Sequence, residues 1–199
     1  APVGAPGAAS PTVAPTAPGA PTPGGPAVGM RLGPWLLLRR LAIGGAAEVF
    51  EATLADGDGA RVAVKRLLPG AEGDPTMRQA FADEVRLAMA VDHPRLVRGI
   101  SAAGVDGTGP AWLALALAEG PTLRAGLRAT AASGARVSPR TVAAVGAQIA
   151  EALAYLHDLT GPDGRPWRVI HRDVSPENIL WSQRGEVRLV DLGIARYEG

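Results

Sequence analysis

Residues 169–180 read V-I-H-R-D-V-S-P-E-N-I-L, and the rest of the chain is organised around them. Four residues separate Asp173 from Asn178, and His171 and Arg172 come directly before Asp173. That spacing lets one loop do two jobs. Asp173 can accept a proton from an attacking hydroxyl. Asn178 can offer its side-chain oxygen to a divalent cation. Phosphoryl transfer asks for both, because its catalysis consists mainly of positioning the nucleophile and neutralising phosphate charge.

Moving back along the chain, the pattern is helical immediately upstream. Ser138-Pro139 has the form of an N-cap followed by Pro at the first helical position. Val142, Val145, Ile149, Leu153 and Leu156 then recur in steps of three and four, one apolar face of a long helix. A shorter helix is predicted over Thr122 to Ala129. Further back, strands are predicted at Leu96 to Ala103 and Ala111 to Leu117. Asp74-Pro75 starts another helix, with Phe81, Val85, Ala88 and Met89 at helical spacing and Asp92-His93-Pro94 as its end. Before it come three short strands in succession, Trp35 to Leu41, Glu48 to Leu54 and Ala60 to Leu68. The turn Asp56-Gly57-Asp58-Gly59 joins the last two. After the opening stretch, short strands are predicted at Ile179 to Ser182 and Glu186 to Val190, around a turn at Arg184-Gly185. The fold class is therefore α+β: a small antiparallel β lobe with one helix, followed by a mostly helical lobe.

Residues 1–29 differ in kind. They are almost wholly Ala, Pro, Gly, Val, Thr and Ser, and hold eight of the 18 prolines. Pro lacks an amide donor and Gly adds entropy, so the segment is expected to be a disordered linker. The folded domain is expected over residues 30–199. Basic and acidic residues nearly cancel, 20 against 19, and the net charge of +1 gives no reason to expect nucleic acid as a partner. The absence of Cys excludes disulfides, thiolate metal sites and Cys nucleophiles. No apolar run is long enough to span a bilayer and no secretory leader is visible, so a cytoplasmic location is expected.

Four separated motifs fall in one order: L-A-I-G-G-A-A-E-V at Leu41 to Val49, V-A-V-K at Val62 to Lys65, the loop at 169–180, and V-D-L-G at Val190 to Gly193. In this order they resemble the protein kinase family, most closely its bacterial Ser/Thr members, from about Trp35 to the last residue. The resemblance implies a two-lobe kinase fold, with an N-lobe over about 30–118 and part of a C-lobe over about 119–199. It implies ATP as phosphoryl donor, Mg2+ (or Mn2+) as metal, and Ser/Thr hydroxyls of a protein as acceptor. It also implies roles for particular residues. Asp173 would orient the acceptor hydroxyl. Lys65 would neutralise phosphate and pair with Glu84 on the following helix, in preference to Asp83. Asn178 and Asp191 would hold the metal. Gly44, Gly45 and Val49 would cover the nucleotide. Leu115 takes the gatekeeper position, the backbones of Ala116 and Ala118 would pair with adenine, and Ala63 and Leu180 would sandwich the purine. His171 is expected to pack beneath Asp191, Arg172 to meet a phosphate on the activation segment, and His93 and His157 to be structural.

Three departures from the family pattern stand out. Ala42 and Ala47 occupy two of the usual loop glycines, Leu192 replaces Phe, and Ser175 stands where many Ser/Thr kinases carry Lys. A hydroxyl can donate a hydrogen bond but brings no charge to a phosphate. A pseudokinase-type nucleotide-binding or scaffold module is therefore the alternative reading, and a small-molecule kinase of the same fold a third. The sequence ends six residues after Gly193, so a kinase fragment is expected, with part of the long helix's apolar face uncovered and little transfer activity of its own.

Overall fold

The structure, a computed structural model, describes residues 29–57 and 59–192. The linker expected over 1–29 lies almost wholly outside the described residues, as do Asp58 and everything from Gly193 onward.

Six strands form one antiparallel sheet in the order β1-β2-β3-β4-β6-β5. They are β1 (Arg31–Leu32), β2 (Trp35–Ile43), β3 (Ala47–Leu54), β4 (Arg61–Leu67), β5 (Gly99–Ala103) and β6 (Trp112–Ala116). The three predicted consecutive strands are β2, β3 and β4. Their inner face packs Leu37, Phe50, Val62, Val64 and Ala114 into one apolar cluster. The register slips twice in β2, between Leu37 and Arg39 and between Arg40 and Ala42. Such irregularities re-aim side chains that simple alternation would place on the other face.

Helix α2 (Pro75–Ala90) crosses one face of this sheet. Its start is as read from sequence: the Asp74 carboxylate accepts from the Thr76 and Met77 amides at 2.8 and 3.4 Å, and Pro75 takes the first turn. It stops at Ala90, ahead of the Asp92-His93-Pro94 end read from sequence, because Val91 is already extended. Phe81 and Ala88 of α2 meet Leu67, Ala111 and Leu113 of the sheet. Two elements escaped the sequence pattern, the two-residue β1 and the single-turn α1 (Pro69–Glu72). Both are too short to show any period.

The strand expected over Leu96 to Ala103 divides in two. Only β5 joins the large sheet. Residues 95–97 pair instead with β8 (Val187–Leu189): the Leu189 amide donates to the Arg95 carbonyl at 2.8 Å and the Val97 amide to Leu189 at 3.3 Å. β8 itself forms a two-stranded hairpin with β7 (Ile179–Trp181). The segment after α2 thus ties the β lobe to the second lobe.

That second lobe holds α3 (Leu123–Ala132) and α4 (Pro139–His157), capped by the Thr122 and Ser138 hydroxyls. Of the five predicted face residues of α4, Ile149 and Leu156 are buried and Val145 and Leu153 half-buried. Val142 is 60% exposed, so the uncovered surface expected on α4 is confined to its first turns and does not reach Ile149. Ala152 is fully buried in the cluster shared with Val187 and Leu189. Gln148 fastens the hairpin there: it accepts from the Val187 amide and donates to the Gly185 carbonyl, both at 3.1 Å. Truncating Leu156, which has no exposed surface, would cost about 2–5 kcal/mol.

Candidate active site

Between the sheet and the β7–β8 hairpin lies a cleft of about 270 Å³. Val49 and Ala63 form its roof, Leu180 its floor, and Leu115, Ala116 and Ala118 its back. Those six residues were expected from sequence to surround a purine. The link from β6 to α3 passes Gly120 at φ 110°, a conformation that favours Gly. A Cβ at Gly120 would also run into the Trp181 carbonyl, so the link passes close against β7 there. The Ala116 amide already donates to the Arg98 carbonyl at 3.0 Å, so only its carbonyl could meet a base.

At the cleft's charged end, one cation meets two carboxylates. Lys65 Nζ donates to Glu84 Oε1 at 2.6 Å and to Asp191 Oδ1 at 2.9 Å. All three side chains are almost buried, at 11%, 7% and 8% exposure. Burial alone would lower the Lys65 pKa, but Asp191 and Glu84 outweigh it and hold the ammonium well above its ordinary value. Burial pushes the Glu84 carboxyl up, against the pull of Lys65. Asp83 takes no part and accepts instead from Gln79 Nε2 at 3.0 Å on the outer side of α2. Asp191 has φ 65°, a left-handed conformation that is costly for Asp and that accompanies functional sites.

The loop at 169–180 folds beneath this triad. Asn178, fully buried, donates from Nδ2 to Asp173 Oδ2 at 2.8 Å and to the Asp173 carbonyl at 3.2 Å. Its backbone carbonyl accepts from the Val190 amide at 2.8 Å, which stitches the strand before Asp191 to the loop. The His171 Nδ1 accepts from the Asp173 amide at 3.3 Å. Burial lowers the His171 pKa, with Asp191 and Asp173 pulling the other way. Among the described residues, three buried polar atoms of this loop have no hydrogen-bond partner: Asn178 Oδ1, Ser175 Oγ and His171 Nε2. A buried amide oxygen without a donor costs free energy unless a ligand meets it. Asn178 Oδ1 with the Asp191 carboxylate is an all-oxygen set suited to a hard divalent cation.

Not every expected residue joins the cleft. Gly44 and Gly45 do not line it; the Gly44 amide closes the β2–β3 hairpin on the Ala47 carbonyl at 2.8 Å. Ala42 and Ala47 lie in β2 and β3 and are buried, with ordinary negative φ. Alanine at those two positions therefore strains nothing. Leu41, Val97, Thr122 and Val190 also line the cleft, a place that the sequence did not assign to them. Leu41 could have been found as the apolar residue that opens the Gly-rich stretch, next to Ala42, which pairs with Val49. One signal for Lys65 was stronger than its motif: it is the single lysine among 20 basic residues. Everywhere else this chain uses Arg; here a compact ammonium meets two carboxylates.

A family model described as the protein kinase domain matches residues 35–198. The tyrosine-protein kinase MasK of Myxococcus xanthus is 36% identical over 168 residues, covering 83% of this chain and 26% of its own length. The serine/threonine-protein kinase PknH of Mycobacterium tuberculosis is 37% identical over 168 residues, covering 84% of this chain and 24% of its own. The chain thus spans about a quarter of the length of these curated relatives. The crystal structure of the Mycobacterium tuberculosis PknI kinase domain matches with a TM-score of 0.62 at 26% identity, covering 85% of this chain and 64% of that one.

Proposed function

Because the chain belongs to the protein kinase domain family, we propose that its cleft binds ATP and that the protein containing it transfers the γ-phosphoryl group to protein hydroxyls of Ser or Thr. One observation carries this reading: a nearly buried Lys65 held by Glu84 and Asp191, directly above a loop in which Asn178 holds Asp173. Val49, Ala63 and Leu180 would enclose the base, and the backbones of Ala116 and Ala118 would pair with it. Lys65 would exchange part of its carboxylate contact for phosphate oxygens. Asp173 Oδ2 is engaged by Asn178, which leaves Oδ1 to orient the acceptor hydroxyl and take its proton. Mg2+, or Mn2+ in its place, would neutralise charge on the phosphate oxygens; Asn178 Oδ1 and Asp191 are the residues that would hold it. The N-lobe would run over about 30–118 and the C-lobe from about 119, with the link at Gly120 between them. A cytoplasmic location for this domain would fit its need for ATP.

Nucleotide titrations with and without Mg2+ test the site. Affinity should rise with Mg2+, and Asn178→Ala should abolish that rise. Transfer by the full-length protein to Ser/Thr peptides, lost in Asp173→Asn, tests the reaction. Tyr peptides belong in the same assay, since the Myxococcus relative is named a tyrosine-protein kinase. Ser175 favours a second reading, a nucleotide-binding scaffold. Binding indifferent to Mg2+ together with no transfer would establish it over the first.

A further inference from the structure

The contact between Glu84 and Lys65 depends on where α2 sits, and its apolar face alone does not fix that. Phe81 and Ala88 hold the middle of the helix against the sheet, and Leu87 near its C-terminal end packs with Val91, Leu96 and Ile149. Such packing resists separation but leaves a helix some freedom to pivot. Its N-terminal end is held differently. Arg78 donates from Nε and Nη2 to the Glu72 carbonyl, at 3.2 and 3.0 Å, and from Nη1 to the Gly104 carbonyl at 2.5 Å. Those carbonyls belong to two different places, the end of α1 and the turn after β5. The Glu72 carboxylate in turn accepts from the Ala111 amide at 3.1 Å. Ala111 is fully buried, and its carbonyl accepts from the Leu67 amide at 3.0 Å, at the end of the strand that carries Lys65. The connection closes on itself: Arg78 to Glu72, to Ala111, to β4 and Lys65, to Glu84, and back along α2. A planar guanidinium with its donors in a fixed fork sets an angle as well as a distance.

We propose that Arg78 is a positioning residue of the phosphoryl-transfer site, clipping the N-terminal turn of α2 to the α1 end and the β5–β6 turn so that Glu84 faces Lys65. Arg78 lies six residues from Glu84, about 9 Å along the helix at 1.5 Å per residue, and so acts on it only through the helix. The proposal rests on the kinase reading for its consequence, but its geometry is testable without nucleotide.

The chain has no Cys, so two introduced cysteines carry the only spin labels. Ala80→Cys on α2 and Ala60→Cys before β4 are both exposed positions suited to a distance measurement by electron spin resonance. With Arg78 in place, one narrow distance is expected. Arg78→Ala should broaden it or add a second population at temperatures well below the melt, while Gln79→Ala, on the same turn, should not. If the clipped position falls to a tenth of the population, apparent affinity for Mg-ATP falls about tenfold. Arg78→Lys, whose single ammonium cannot span both carbonyls, should lie between the two and guards against a variant that does not fold. A narrow, unchanged distance in Arg78→Ala or in Arg78→Lys would overturn the proposal. Loss of Mg-ATP binding by the unaltered chain would overturn the kinase reading and leave the distance result standing.

Discussion

The roof and the floor of the cleft are built on opposite terms. In the roof, the ionised side chains are matched across the strands, although Trp35 Nε1, Ser101 Oγ and one Glu48 oxygen are buried there without a hydrogen bond. Lys65 has two carboxylates, Glu48 accepts from Arg66 at 2.8 Å, and Glu51 lies between Arg39 and Arg61. In the floor, Asn178 Oδ1, Ser175 Oγ and His171 Nε2 are buried without partners. A buried charge left alone is costly, so the roof must be self-consistent before any ligand arrives. The floor keeps acceptor and donor capacity in reserve, which is what a site needs if its partners come from substrate and metal. Framework and reaction are thus divided between two lobes that meet at Lys65 and Asp191.

That division can be broken at either side. The largest effect belongs to the floor: Asp173→Asn in the full-length protein should lower the transfer rate by roughly 10²–10⁴, the usual worth of a general base. Its thermal stability should hardly move, because an amide oxygen can still accept from Asn178. Lys65→Met attacks the roof and should do the reverse of a purely catalytic lesion. Two nearly buried carboxylates would face each other without a cation, at a cost of about 3–5 kcal/mol in denaturant unfolding. A Lys65→Met chain as stable as the parent would show that the triad is not a framework.

The two lobes should also fail at opposite ends of the pH scale. The folded pKa of Lys65 is raised, so the folded chain holds that proton more tightly than the unfolded chain does. Its contribution is complete below the ordinary lysine value of 10.5 and is lost as pH climbs beyond it. The folded pKa of His171 is lowered, so the unfolded chain takes up the proton first. Stability then falls as pH drops below the ordinary histidine value of 6.5. Unfolding curves across pH should therefore lose their alkaline slope in Lys65→Met and their acid slope in His171→Asn. The smallest change sharpens the floor: Ser175→Ala deletes a hydroxyl that makes no hydrogen bond, and should alter stability by no more than about 0.5 kcal/mol.

Much of this was legible before any coordinates. The caps Asp74 and Ser138 act within three residues of themselves, so local chemistry marks where their helices begin, whereas Thr122, read as the first helical residue, is the cap of α3. Asp173 and Asn178, five positions apart, meet as their spacing implies. The choice of Glu84 over Asp83 agrees with the side of α2 that turns inward. What local pattern could not show is what the fold assembles from afar. The contact of Lys65 with Asp191 joins residues 126 apart in sequence. Leu96 and Val97 read as the start of a strand continuous with β5, yet pair with β8, because only the closed fold brings that hairpin alongside. The slips in β2 hid Leu41 in the same way. Gly44 and Gly45 are at the expected place, but the β2–β3 turn that the Gly44 amide closes leaves them outside the lining of the cleft.

The single lysine has a consequence for how this domain can be watched. A lysine-specific protease has one bond to cut, between Lys65 and Arg66 in the middle of β4, where strands on both sides cover it. Cleavage into 1–65 and 66–199 therefore requires the small sheet to come apart. Its rate, read from two bands on a gel, would measure how often the roof opens, and a nucleotide that holds the lobes together should slow it.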